Sequence, residues 1–292
     1  MKLITTLSLI CILPFAELFA SESEHTELSI ADSLRSEGLL AEAIIAYEYS
    51  AFTSLNNTDR TIALLKKAEC LLESGKIERS ESTLSRLNFY NLNDSLQYES
   101  RYKSALYSYL NQNFEESISQ LSIIEQFLPI ENSIKSKPLF ALALNETRRW
   151  NEAKEQMILW NNYVNANDSC KLATYDIAIK NIYDKKNQPK YRDPAKALIW
   201  AQIIPGSGQL YSGYFFDAAF TSIMVLSGIG IAAYGVFVAK YYITGVLLGY
   251  GIFQRFFIAG QNRSEFLANK RNYQRKRKYN DRLRDIINAH SY

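Results

Sequence analysis

The chain has 292 residues, 47% of them hydrophobic and 13% aromatic, and a net charge of only +3. That length accommodates about two domains at the usual ~150 residues each. Glycine and proline are scarce over the first two thirds, which favours helices over a turn-rich β fold and points to an all-α protein. His25 and His290 stand at opposite ends and no His/Cys group has metal-ligand spacing, so neither a metal centre nor another cofactor is expected.

The N-terminus begins Met1-Lys2 and runs into an apolar stretch from Leu3 to Phe15. Leu18-Phe19-Ala20 and the acidic stretch Ser21-Glu22-Ser23-Glu24 come next. A charged start, a short apolar core and a small residue ahead of polar chain mark an export signal over residues 1–20, cleaved after Ala20. Glu17 and the bulky Leu18 leave an uncleaved signal anchor as the alternative, and either form exports the chain beyond residue 20. Cys11 follows Ile10 rather than a small residue, which argues against lipoprotein processing. Cys70 and Cys170 remain, each among apolar neighbours on a helical pattern. They read as buried free thiols, although an oxidising compartment would permit a bridge.

Residues 21–183 carry an internal repeat. Ala31-x-x-Leu34-x-x-x-Gly38 leads into Ala43 and Tyr47, and Ala68-x-x-Leu71-x-x-x-Gly75 leads into Ser80 and Leu84. A third copy has Ser117, Leu121 and then Pro129, and a fourth has Ala153 and Met157. The small residues Ala43, Ser80, Ser117 and Ala153 are separated by 37, 37 and 36 positions. A small residue lets paired antiparallel helices approach, and a large one four positions later fills the gap to the next pair. The unit resembles the tetratricopeptide repeat, which has a turn Gly, a small residue opening the second helix, an aromatic four later and a closing Pro. Gly38, Ala43, Tyr47, Gly75, Ala153 and Pro129 match that pattern. Ser80 and Ser117 depart from it, as do Gln112 and Arg148 where turn glycines would sit. The resemblance covers roughly residues 26–165. It implies an α-solenoid of helical hairpins whose concave face, made largely by the first helix of each pair, binds a protein or peptide.

Tyr98, Tyr102, Tyr107 and Tyr109 fall at helical spacing and read as packing rather than a ligand strip. Arg148-Arg149-Trp150 reads as a solvated turn. Asp168 to Tyr183 is expected to cap the repeats with Cys170, Ala173, Ile177 and Ala178 on its apolar side. The polar stretch 184–194, interrupted at Pro189 and Pro194, reads as a linker.

Residues 195–262 form a membrane domain. A short apolar stretch containing Trp200 precedes Pro205-Gly206-Ser207-Gly208-Gln209-Leu210-Tyr211-Ser212-Gly213. Tyr211 stands where a dinucleotide fingerprint needs its third Gly, and no strand precedes, so phosphate binding is set aside. From Phe215 to Gly260 the chain is nearly all apolar, enough for two crossings of a ~30 Å hydrocarbon core. The turn falls near Lys240. Gly228 with Ala232, and Gly245 with Gly249, lie four apart and allow close helix packing in lipid. Tyr241 and Tyr242 suit the interface, and Arg255 snorkels to headgroups. Pro205, Gly206, Gly208, Gln209, Tyr211 and Gly213 resemble the motif P-G-x-G-Q-x-Y-x-G of a bacterial two-transmembrane-hairpin family, mostly of unknown function and often fused to repeats.

Residues 263–292 form a basic tail with nine Lys/Arg against three acids from Arg263 on. Phe266, Tyr273, Tyr279, Leu283 and Ile287 among the charges suggest an amphipathic helix lying on anionic lipids. Export disfavours nucleic acid. Two crossings leave this tail outside with the repeats, against the positive-inside tendency. Three would put it inside, but Pro205 and Gly206 suit an interfacial piece better.

These features describe a non-enzymatic, membrane-anchored adaptor or scaffold of a bacterial cell envelope, with the repeats extracytoplasmic. The alternative is a transport or membrane-assembly component built from hairpins associated as homo-oligomers, with Asp217, Gln254 and Arg255 along a polar path. An enzymatic role has the least support, because no nucleophile with a base or paired carboxylates stand out.

Overall fold

The computed structural model describes residues 27–290. The export-signal segment 1–20 and His25 lie outside those residues. Every element among the described residues is helical, and the chain divides into two compact units between Ile177 and Ala178, within one helix.

The first unit opens with α1 over residues 27–36. Next are α2 (Leu40–Thr53), α3 (Asn57–Glu73), α4 (Ile77–Leu84) and α5 (Asp94–Leu110). Then come α6 (Phe114–Phe127), α7 (Ile130–Glu146), α8 (Trp150–Val164) and α9 (Ser169–Tyr183), whose last residues belong to the second unit. From α2 to α8 each helix packs on the next, and α3 and α7 also touch α5.

One turn joins each pair. Gly38 and Gly75 have φ of +80° and +73°, and Gln112 and Arg148 adopt the same left-handed conformation at +64° and +66°. In each, the left-handed residue donates its N–H three residues back and its successor donates five back. Examples are Gly75 N to Leu72 O (2.9 Å) with Lys76 N to Leu71 O (2.9 Å), and Gln112 N to Tyr109 O (3.1 Å) with Asn113 N to Ser108 O (2.8 Å). This double closure satisfies carbonyls that a helix end leaves open. The backbone thus repeats the turn even where the sequence abandons glycine.

Ala43, Ser80, Ser117 and Ala153 are all buried, as are Tyr47, Leu84, Leu121 and Met157 four residues on. Ser80 replaces alanine without leaving an unpaired hydroxyl, since its Oγ donates to Ala68 O on α3 at 2.6 Å. Ser117 Oγ is buried with no partner among the described residues. Pro129 sits at the N-cap of α7, where its missing N–H removes no helix bond. Ala31, Ala43, Ile44, Tyr47, Cys70 and Leu71 make one core cluster, and residues from α2 to α5 centred on Leu64, Leu84 and Tyr107 make the next. Of the tyrosines at helical spacing, Tyr107 is core, while Tyr98 and Tyr102 stack half-buried with ring centroids 5.7 Å apart.

Two expectations are corrected. Cys70 is a buried free thiol, but Cys170 is free and exposed. Ala173 and Ile177 are exposed with it, while α9 buries Ile179, Ile182 and Tyr183 instead. The large side chains near the end of α9 bury more apolar surface than the small Cys170 and Ala173 can, so they set the helix's inner face.

The second unit comprises α10 (Pro194–Ile203), α11 (Ser207–Ser212), α12 (Phe215–Phe237) and α13 (Tyr242–His290). Asp193 caps α10, accepting from Ala195 N at 2.9 Å. α12 and α13 pair closely across residues 238–241, where Lys240 takes φ +58°. The basic tail is helical and continues α13 without a break, so this single helix of 49 residues is roughly 70 Å long.

Candidate functional site

At the open end of the α12–α13 pair, the residues of the Pro205–Gly213 motif meet. Gly206 (φ +90°) lies against Ala218 and Ser222 of α12, and a Cβ there would stand 2.6 Å from Ala218 O. A Cβ at Gly208 would stand 2.1 Å from Ala197 O and 2.7 Å from Ser264 Oγ, so α10 and α13 both approach that glycine to backbone distance. Gln209 is fully buried, and its Nε2 donates to Thr221 Oγ1 of α12 (3.1 Å) and Gly260 O of α13 (3.0 Å). Ser222 Oγ donates to Pro205 O at 2.8 Å, and Ser212 Oγ to Gly208 O at 2.9 Å. Tyr211 Oη accepts from Asp193 N at 3.3 Å, with the Arg192 guanidinium 5.0 Å from its ring centroid. Gly213 (φ +87°) closes α11. Each motif residue therefore has a mechanical task, and together they tie α10, α11, α12 and α13 into one knot.

The small residues of the apolar pair form its seam. A Cβ on Gly249 would lie 2.5 Å from Gly228 O and 2.6 Å from Ala232 Cβ, and one on Gly245 would lie 2.7 Å from Gly235 Cα. Gly235, which the sequence reading did not single out, is thus the partner of Gly245. Its spacing of seven from Gly228 is two helical turns, a periodicity that would have revealed it. At the knot, Asp217 pairs with Arg263 at 2.5 Å rather than standing alone.

The stretch 184–193 lies along α13. Arg192 N donates to Asn272 Oδ1 (2.7 Å), and Asn272 Nδ2 returns a bond to Arg192 O (2.6 Å). Arg275 donates to Lys190 O, and Tyr279 Oη to Ile182 O at 3.2 Å. Of the apolar residues in the tail, Tyr279 and Leu283 are buried, whereas Phe266 and Tyr273 are exposed.

In the first unit, an ionic ladder crosses α1, α3 and α5. Asp32 accepts from Tyr47 Oη (2.5 Å) and pairs with Lys66 (2.6 Å); Arg35 pairs with Glu69 and Glu73 (both 2.6 Å); Lys103 pairs with Glu69 and Glu99 (both 2.5 Å). Burial acts to raise the Asp32 and Glu69 carboxyls, but hydrogen bonds from Lys66 and Tyr47, and from Lys103 and Arg35, hold both below the ordinary range. Burial acts to lower the Lys103 ammonium, and Glu69 and Glu99 raise it. Sequence reading missed this ladder. Its trace is opposite charges 34 residues apart in Asp32–Lys66, Arg35–Glu69 and Glu69–Lys103. Lys137 is buried with Glu125 Oε1 at 2.5 Å and Gln156 Oε1 at 2.7 Å, tying α6, α7 and α8.

No protein-family model, curated protein or solved structure matches this chain.

Proposed function

We propose that this chain is a non-enzymatic, membrane-anchored adaptor: an α-solenoid of tetratricopeptide-like hairpins that binds a protein or peptide, fixed to the bilayer by the α12–α13 hairpin. The observation that carries the membrane half is exposure. Only 22% of the apolar window of α12 and 17% of that of α13 is buried, the reverse of a core helix. Ile223, Leu226, Ile229, Ile243 and Leu247 all face outward, a continuous apolar surface that water does not tolerate. The 23 residues of α12 rise about 34 Å, enough for a ~30 Å hydrocarbon core. Exposed Trp200, Ile203, Ile204 and Leu210 beside the knot suit a piece lying in the interface.

The hydrogen bonds of residues 184–193 to α13 favour two crossings. They hold the linker and the basic tail on one side, and among the described residues only α12 and α13 are long and apolar enough to cross. The repeats then share the tail's side, and the export signal makes that side extracytoplasmic. Exposed Lys196 and Lys270 near the membrane boundary are available to anionic headgroups, at roughly 1 kcal/mol each.

Protease accessibility of tags placed in the repeats and at the C-terminus tests the arrangement in cells with the outer barrier opened. Digestion of both supports it. Protection of the repeats overturns export, and digestion of one tag alone overturns the two-crossing hairpin.

One observation favours the assembly reading: Gln254 and Arg255 are exposed on an otherwise apolar stretch of α13. An adaptor keeps partner binding in Arg255→Leu, whereas an oligomeric conducting assembly loses its activity.

A further inference from the structure

We propose that the cleft between α4, α5 and α6 is a docking site for the ammonium or guanidinium group of a basic peptide segment. This deepens the adaptor reading and rests on it. The cleft exists because α4 is short: it has 8 residues where α2 and α6 have 14 and α8 has 15. The missing turns open a space of about 520 Å³ between successive second helices, within the usual range of ligand clefts.

Its lining is acidic. Glu78, Glu81 and Glu116 border it with no Lys or Arg among the lining residues. Amides rather than cations orient two of these carboxylates: Asn111 and Asn113 donate to Glu81, and Gln120 Nε2 donates to Glu116 Oε1 at 2.8 Å. On the ladder, by contrast, Asp32, Glu69, Glu73 and Glu99 are neutralised by Lys66, Arg35 and Lys103. Arg101, which does not line the cleft, is held by two residues that do, with its guanidinium 3.9 Å from the Phe89 centroid and Nη1 donating to Gln120 Oε1 at 2.9 Å.

A second observation is independent of charge. Ser108 lines the cleft, is only 2% exposed, and its hydroxyl has no partner among the described residues. A hydroxyl that opens on a cavity without a protein partner is free to accept from, or donate to, a group placed there. Leu84 and Phe89 supply an apolar wall for the methylene stem of a lysine or arginine. No group of three or more acidic, His or Cys side chains is close enough to hold a metal ion among the described residues, so the dispersed carboxylates suit a cation with several N–H donors.

The test titrates full-length protein in detergent with a fluorescein-labelled Arg-Gly-Ser repeat peptide and its citrulline counterpart. Wild type binds the arginine peptide more tightly. Glu78→Gln/Glu81→Gln/Glu116→Gln weakens that binding at least about tenfold. Ser85→Trp, which fills the mouth from an exposed position without changing charge, does the same and keeps the test valid if the triple variant loses helicity. Glu131→Gln/Glu155→Gln, exposed acids outside the cleft, leaves it unchanged. Equal binding of the citrulline peptide, equal loss in the control, or full binding by Ser85→Trp overturns the proposal. In cells, photo-cross-linkers at Ser33 and Lys135 that yield adducts while one at Ser82 yields none overturn the cleft and spare the adaptor. No adduct from any of the three overturns the adaptor reading itself.

Discussion

Replacing Gln112 by glycine should stabilise the repeat unit, and the converse change at the equivalent turn, Gly75→Ala, should weaken it. Gln112 holds φ +64° and Gly75 +73° in the same doubly bonded turn. A left-handed conformation costs a residue with a Cβ roughly 1–2 kcal/mol. Glycine avoids that strain but loses about 0.5–1 kcal/mol more chain entropy on folding. The net gain for Gln112→Gly is therefore about 0.5–1 kcal/mol. Gln112 is exposed and forms no side-chain hydrogen bond among the described residues, so no contact is lost. Gly75→Ala should lose about 1 kcal/mol from φ alone, because an added Cβ meets nothing within 4 Å. At the usual scaling this raises Tm by about 2 °C in the first variant and lowers it by about 3 °C in the second. Thermal melts of full-length protein in detergent, followed by far-UV circular dichroism, resolve both. The reasoning fails if Gln112→Ala, which keeps the Cβ, stabilises as much as Gln112→Gly, or if Gly75→Ala melts with wild type.

In the hairpin, Gly249→Leu must separate α12 from α13, since even a Cβ there lies 2.5 Å from Gly228 O; a loss of about 3 kcal/mol is expected, read as a lower unfolding midpoint in SDS titration. Asn272→Ala removes both bonds to Arg192, worth about 2 kcal/mol together, so trypsin should cleave within residues 184–193 roughly tenfold or more faster; an unchanged rate refutes the strap. Glu69 titrates lower folded than unfolded, so its ion pairs contribute fully above the ordinary glutamate value of 4.5 and are lost as pH falls through the lower folded value. Acid titration of stability should therefore steepen below that point in wild type and flatten in Glu69→Gln, and identical profiles would count against the ladder.

The small residues at 43, 80, 117 and 153 were legible because close approach of paired helices tolerates only small side chains, and that demand recurs at a fixed interval. The apolar pair and its turn at Lys240 were legible from hydropathy. The motif at Pro205–Gly213 was recognisable as a unit, but its task was not: Gln209 reaches Thr221 and Gly260, the latter 51 residues away, and only the packed helices bring them together.

Other features left no local trace. Gln112 and Arg148 occupy turns that glycine would favour, because the bonds closing those turns are backbone bonds and do not read the side chain. The inward face of α9 was misassigned because several of its sides carry apolar residues, and the choice among them was made by what it meets. Likewise 184–193 reads as linker in composition, yet Asn272, 80 residues from Arg192, holds it. What the sequence alone determined is what repeats or accumulates locally: helix type, repeat spacing and apolar length. Tertiary structure decided which surfaces are covered and which charges are neutralised, since those depend on partners distant along the chain.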